Sequence, residues 1–182
     1  SERPGANPGP GIAGQPAKHD NNQKTMTYEE PNNRAADSCR CFLETIEILH
    51  ELHTWANTED DASTLSLVAR RELLDRGWAE DQDREAIAES ISREIDEDPL
   101  SIQWRSGWET VGAELEPAEF EVLLSTGGPA TRIVGDLDPT FLMPCRPRLQ
   151  HQDWFKPWTE YLDATSAQDE ALDWYCGMFH FG

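Results

Sequence analysis

Asp98-Pro99-Leu100-Ser101-Ile102-Gln103-Trp104-Arg105 is where the hydrophobic period of this chain changes. Up to Asp98 the apolar residues recur every three or four positions, as on a helix face. After Pro99, which ends a helix, Leu100, Ile102 and Trp104 alternate with Ser101, Gln103 and Arg105, as on a strand. A helical part therefore precedes a sheet part, and the expected class is α+β.

Working upstream, Ile87, Ile91 and Ile95 stand four apart and predict a helix starting near Asp81. A second helix is expected from Ser63 to Arg76, with Leu65, Val68, Ala69 and Leu73 on its buried side and Gly77 as its stop. The first helix carries Phe42, Ile46, Leu49, Leu52 and Ala56, widened by Leu43 and Trp55, with Asp37 or Ser38 as its cap. Residues 1–36 contain five prolines, four glycines and few large apolar groups. They cannot bury enough surface to offset the entropy of ordering, so a flexible tail is expected there.

Working downstream, Phe120, Val122 and Leu124 repeat the strand pattern, Gly127-Gly128-Pro129 makes a turn, and Ala130 to Val134 and Arg148 to Trp154 supply two further strands. The links between them are too short for parallel crossovers, so an antiparallel sheet of about four strands is expected. Ser166 with Asp169 fits a capping box, and Leu172, Tyr175, Cys176 and Phe179 form the apolar face of a C-terminal helix. Residues 37–98 and 99–182 are expected to form one compact unit.

Charge narrows the function. The 182 residues carry 35 Asp and Glu against 15 Lys and Arg, a net charge of −20. The tail is neutral, residues 37–98 carry net −12 and residues 99–182 net −8, so the acidity sits in the folded part. Such a surface repels phosphate backbones and anionic membranes, which argues against direct nucleic-acid or lipid binding. With 37% hydrophobic residues and seven Trp there is enough apolar material for a real core. No apolar run approaches a membrane span, no signal-peptide pattern is present, and Cys39, Cys41, Cys145 and Cys176 lack the spacing of a secreted disulfide scaffold. A cytoplasmic setting is expected.

Four distinctive stretches lie in the second half: Pro99 to Trp108, Leu123-Leu124-Ser125-Thr126-Gly127-Gly128-Pro129-Ala130, Gln152-Asp153-Trp154-Phe155-Lys156-Pro157-Trp158-Thr159-Glu160, and Phe179-His180-Phe181-Gly182. On these, the chain resembles a family of small acidic accessory proteins of proteobacterial phages, plasmids and integrated mobile elements. The resemblance spans Pro99 to Gly182, implies a genomic setting, and carries over no residue role.

Two sets of candidate residues follow. Asp81, Asp83, Glu85, Glu89, Glu94, Glu97 and Asp98, on and around the third helix, are expected to bind a partner by imitating a run of phosphates. Carboxylates three or four apart on a helix lie about 5–6 Å apart, a scale similar to that of a DNA strand. The expected partner is a basic host protein with a nucleic-acid groove, of the kind that anti-CRISPR and anti-restriction mimics occupy. The alternative is a small enzyme or ligand-binding domain built on Arg105, Trp108, Arg132, Arg148, His151 and Trp158, where guanidinium and indole groups grip an anion. In that case the acidity serves solubility or salt adaptation, which three Lys against twelve Arg also fits. A structural reading pairs these Arg residues with Glu119, Glu121 and Asp153 and puts the Trp residues in the core.

Other motifs point to no site. Ser125-Thr126-Gly127-Gly128 lacks the Lys of a phosphate loop and reads as a hairpin turn. His151 and Asp153 share a strand face, yet no Gly-x-Ser-x-Gly elbow activates Ser106 or Ser125. Cys39, Cys41, His50 and His53 are the one metal-like cluster. His50 and His53 share a helix face, but Cys39 and Cys41 point about 200° apart and the spacing matches no standard finger, so no metal or cofactor is expected. Cys39 is then exposed and Cys41 packed.

Overall fold

The computed structural model describes residues 32–78 and 83–181. Most of the expected tail, and Asp81, lie outside the described residues. Helix α1 runs Asn32–Ala56, a short 3-10 turn Ala62–Thr64, α2 Leu67–Asp75, α3 Arg84–Glu97 and α4 Ser166–Gly177. Five strands, β1 Ser101–Arg105, β2 Glu119–Ser125, β3 Ala130–Leu137, β4 Pro144–Gln152 and β5 Thr159–Glu160, form one antiparallel meander in chain order. The class is α+β, with one strand more than expected.

Helix α1 is the hub. Its buried residues Ala35, Cys39, Leu43, Ile46, Leu49, Leu52, Trp55 and Ala56 wind around it, so it packs on α2, α3, α4, β3 and β4 at once. It begins five residues before Asp37. The stripe from Ala35 therefore sets the phase, and it reverses the expected roles of the two cysteines: Cys39 is buried and Cys41 is exposed.

The expected second helix divides in two. Asp61 caps the 3-10 turn and Ser66 caps α2, whose buried residues are Ala69 and Leu73, while Val68 is exposed. Gly77 ends it with φ +71°, in a Schellman arrangement where Trp78 N–H reaches the Leu73 carbonyl and Gly77 N–H the Leu74 carbonyl. Helix α3 buries Ile87, Ile91 and Ile95 as expected, and its cap is Asp83. The capping box of α4 stands one residue earlier than expected, Thr165 with Gln168, and Leu172, Tyr175, Cys176 and Phe179 are buried.

One side of the sheet faces the helices. Phe120, Val122, Ile133 and Leu149 line up there through the pairs Val122↔Ile133 and Ile133↔Leu149, packed against α1 and α4. Gly135 stands opposite Phe120, whose ring also meets that of Phe181 at 5.1 Å between centroids. A Cβ on Gly135 would lie 2.5 Å from Phe120 Cε1 and 2.9 Å from the Cys145 carbonyl oxygen. The aromatic ring thus occupies the space a side chain would fill.

Replacing Gly135 by Ala is expected to destabilise the fold by about 1–3 kcal/mol through overpacking. In urea titrations, Gly135→Ala combined with Phe120→Leu should cost less than the sum of the two single changes, because the smaller side chain relieves the clash. Additive costs would show that the ring does not set the need for glycine.

Candidate functional site

The carboxylates of α3 divide according to what they touch. Glu85, Glu89 and Asp96 stand at steps of four and seven, with Ser92 between them, and so share one face of the helix over about 16 Å. With Glu59 from the segment after α1 they line an open groove of about 820 Å³, shared with His53, Asn57, Thr58 and Arg93. Glu59, Glu85, Glu89 and Asp96 are exposed, and none joins an ion pair among the described residues. Four carboxylates against one guanidinium give the groove a strongly negative field.

Three of the other expected partner-binding residues, Glu94, Asp98 and Asp83, hold the fold. Glu94 takes the Arg76 guanidinium in a two-pronged pair, with Nη2–Oε1 at 3.1 Å, and this joins α2 to α3. The hydrogen bond to Glu94 lifts Arg76 above its ordinary pKa. Asp98, the residue that ends α3, accepts the hydroxyl of Tyr175 at 2.7 Å, which ties α3 to α4. Burial, and then the Asp98 carboxylate, push the Tyr175 phenol up. Asp83 caps α3 by accepting from Glu85 N–H at 3.1 Å. Glu97 is exposed beside Ser90, Arg93 and Asp98, on a different patch from the groove. Asp96 and Glu59 belong to the groove instead. Their membership depends on the end of α1 lying beside α3, which no local pattern announces.

Across the molecule, the sheet's open face carries the arginine set. Arg105 pairs with Glu119, Arg132 with Glu121 at 2.6 Å, and Arg146 with Asp136 at 2.7 Å, each across neighbouring strands. Arg132 also donates to Gln150 Oε1 at 2.9 Å and lies 4.2 Å over the Trp158 ring. A concavity of about 320 Å³ above Val134 is lined by Gln103, Arg105, Arg132, Arg148 and Gln150 among others. Among the described residues, Arg148 is exposed there without an ion pair. The cross-strand pairing expected for Glu119 and Glu121 is present. Asp153 instead accepts the N–H of Trp154 at 2.9 Å. Of the tryptophans only Trp55 is fully buried; Trp108 stands free in the loop after β1 and Trp154 covers Gly128.

His151 does not join this set. It alternates with Gln150 and Gln152, stands opposite Thr131, and is buried on the helix-facing side of the sheet. Arg105, Arg132 and His151 therefore form no convergent catalytic pocket. The cysteine and histidine cluster is not brought together either. Cys39 is eleven residues, or about 16 Å along α1, from His50, and burial pushes its thiol up to about 12. His50 stacks on Trp174 at 4.9 Å and His53 meets the same ring at 5.2 Å, so both dock α4 on α1. Among the described residues no group of three or more His, Cys, Asp or Glu could hold a metal, and no helix is long and apolar enough to cross a membrane.

Burial lowers the pKa of His151, and burial together with the nearby His50 lowers that of His53. The unfolded chain then binds protons that the native state refuses. The native advantage is complete above the ordinary value of about 6.5 and is lost as pH falls towards the depressed values. His151→Gln should therefore show a smaller drop in Tm than the parent chain between neutral and mildly acidic pH. An equal drop would mean that His151 does not contribute to the acid sensitivity. Comparison with protein-family models, with curated proteins and with solved structures finds no match in any of the three.

Proposed function

We infer that the chain is a non-enzymatic acidic binding protein of a mobile element, which inhibits a host nucleic-acid-binding defence system of the anti-CRISPR or anti-restriction kind. The observation that supports this reading is the groove between the end of α1 and α3, where among the described residues Glu59, Glu85, Glu89 and Asp96 stay free of ion pairs while Glu72, Glu94, Glu119 and Glu121 are neutralised within the fold. Carboxylates at steps of four and seven along α3, with Glu59 beside them, offer a Lys- and Arg-lined channel the charge pattern of a phosphate run. Association through them is steered by long-range attraction and weakened by salt, whose screening length is about 10 Å at 0.1 M. The family resemblance of the second half supports the mobile-element setting.

The test is competition with a labelled DNA duplex for CRISPR effector complexes and restriction enzymes of proteobacterial hosts, read by gel shift. The parent chain should displace the duplex from a susceptible target, and more weakly as salt rises. The variant carrying Glu59→Gln, Glu85→Gln, Glu89→Gln and Asp96→Asn should lose about tenfold or more in potency at unchanged Tm, since none of the four side chains joins an ion pair among the described residues. Equal potency of parent and variant would reject the mimic.

The second reading, a small ligand-binding domain, draws on Arg148 over the concavity of the sheet's open face and does not include His151. It requires a small anion such as phosphate or citrate to raise the Tm of the parent chain and not of Arg148→Ala. The absence of any shift would remove its support.

A further inference from the structure

The two edges of the sheet are built differently. Edge strand β5 is two residues long, follows Pro157 and ends on Glu160, so it offers little backbone to an incoming strand. Edge strand β1 is five residues long and has no Pro, Lys or inward charge to blunt it. Its pairing with β2 is regular from Ser101↔Leu123 to Arg105↔Glu119, without a bulge. An edge of this kind presents a row of unpaired N–H and C=O groups and is a template for another strand.

The side chains of β1 add an apolar face to this backbone template. Ile102 and Trp104 point to the same side as Val122 and Phe120, their partners on β2. Those partners are buried, whereas Ile102 is 40% and Trp104 46% exposed, with Leu100 before them at 59%. The main contacts of the helix layer with the sheet are on β3 and β4, away from β1.

We propose that β1 is a self-association edge, on which a second copy of this chain adds its own β1 antiparallel, across a two-fold axis at Gln103, to make a continuous ten-stranded sheet. The sequence of β1 is self-complementary in that register. Ile102 of one copy meets Trp104 of the other on the apolar side. Gln103 meets its own equivalent on the polar side, where two amides can bond each other. Arg105 meets Ser101 and not a second Arg105.

The charge of β1 itself permits a second copy at this place. Two chains of net −20 repel each other over most of their surface, yet Pro99 to Trp108 contains no carboxylate, and its one cation, Arg105, is already paired with Glu119. A neutral, apolar strand is where such molecules can approach. A stable interface buries about 1,200 Å² or more in total, beyond what three side chains per copy supply. The loop that follows β1 brings Trp108, Val111 and Leu115, at 105%, 102% and 65% exposure, beside the same edge in sequence, together with the exposed carboxylates of Glu109, Glu114 and Glu116. Packing its apolar side chains on the partner copy completes the contact, and salt that screens the three carboxylates favours it.

The experiment uses the full chain. Sedimentation equilibrium from micromolar to near-millimolar protein should show a species of twice 20.6 kDa in exchange with the monomer. Ile102→Lys with Trp104→Lys should raise the dimer dissociation constant about tenfold or more. In a Cys41→Ser and Cys145→Ser background, which leaves the buried Cys39 and Cys176 in place, Gln103→Cys should form a disulfide-linked dimer on mild oxidation. Directly opposed residues of antiparallel strands lie about 4.5–5.5 Å apart, within disulfide reach, and a register slip removes them from it. A chain that stays monomeric throughout, a dimer that persists in the double-Lys variant, or a dimer that Gln103→Cys fails to cross-link each overturns the proposal. The cross-link keeps the test decisive if the Lys variant fails to fold. None of these outcomes touches the acidic groove, so self-association is tested separately from the binding function.

Discussion

Fifteen cations have to hold together a chain with 35 carboxylates, so where the arginines go determines both what the fold can join and what it leaves charged. The less exposed ones sit at joints. Arg84, at the start of α3, donates to the carbonyls of Thr58 at 2.7 Å, Asp60 at 2.8 Å and Trp55 at 3.3 Å, and its guanidinium lies 4.2 Å over the Trp55 ring. It thereby satisfies the carbonyl end of α1 with a positive charge, as the helix dipole favours, and anchors α3 to the hub helix. Arg76 does the same between α2 and α3, and Arg132 spans β2, β4 and the Trp158 loop. These contacts are partly shielded from solvent, where a guanidinium contributes more than it does in a surface pair.

The same placement accounts for the acidic surface. Carboxylates beside a joint are neutralised, and those away from one keep their charge. The open side of the sheet is held near balance by three cross-strand pairs, whereas among the described residues carboxylates without an ion pair remain on the helices and on the loops of the sheet half, Glu109, Glu114 and Glu116 included.

Elements with a long, uninterrupted period were legible in the sequence. Ile87, Ile91 and Ile95, the strand alternation of Phe120 and Val122, and the apolar face of α4 all fall where expected because each buries one continuous side. Errors arose where a neighbour outside the window decides. The phase of α1 rests on Ala35, which a boundary drawn at Asp37 omits, and that inverted Cys39 and Cys41. Strand β5 has two residues, too few for any alternation, and exists because β4 offers it Gln150 and His151 to pair with. The acidic residues were legible as a set, but their division was not. Glu94 is neutralised by a residue 18 positions away and Asp98 is bonded by one 77 away, whereas Glu59 and Asp96 line one groove from opposite sides of a 37-residue separation.

Strand β1 shows how the two parts of the chain constrain each other. Pro99 ends α3 and starts the sheet two residues later, so β1 is laid down directly from the helical layer and becomes the first strand of the meander. The next helix to pack on the sheet, α4, arrives only after β5, and it settles with α1 over β3 and β4. A meander of five strands is wider than two helices, which lie about 8–10 Å apart and cover about four strands at the 4.7–4.9 Å strand spacing. One edge is therefore left without cover. At β5 the chain shortens the strand to two residues, which leaves little to cover. At β1 it keeps a full strand with an apolar side, the pattern of an edge meant to be occupied rather than blunted.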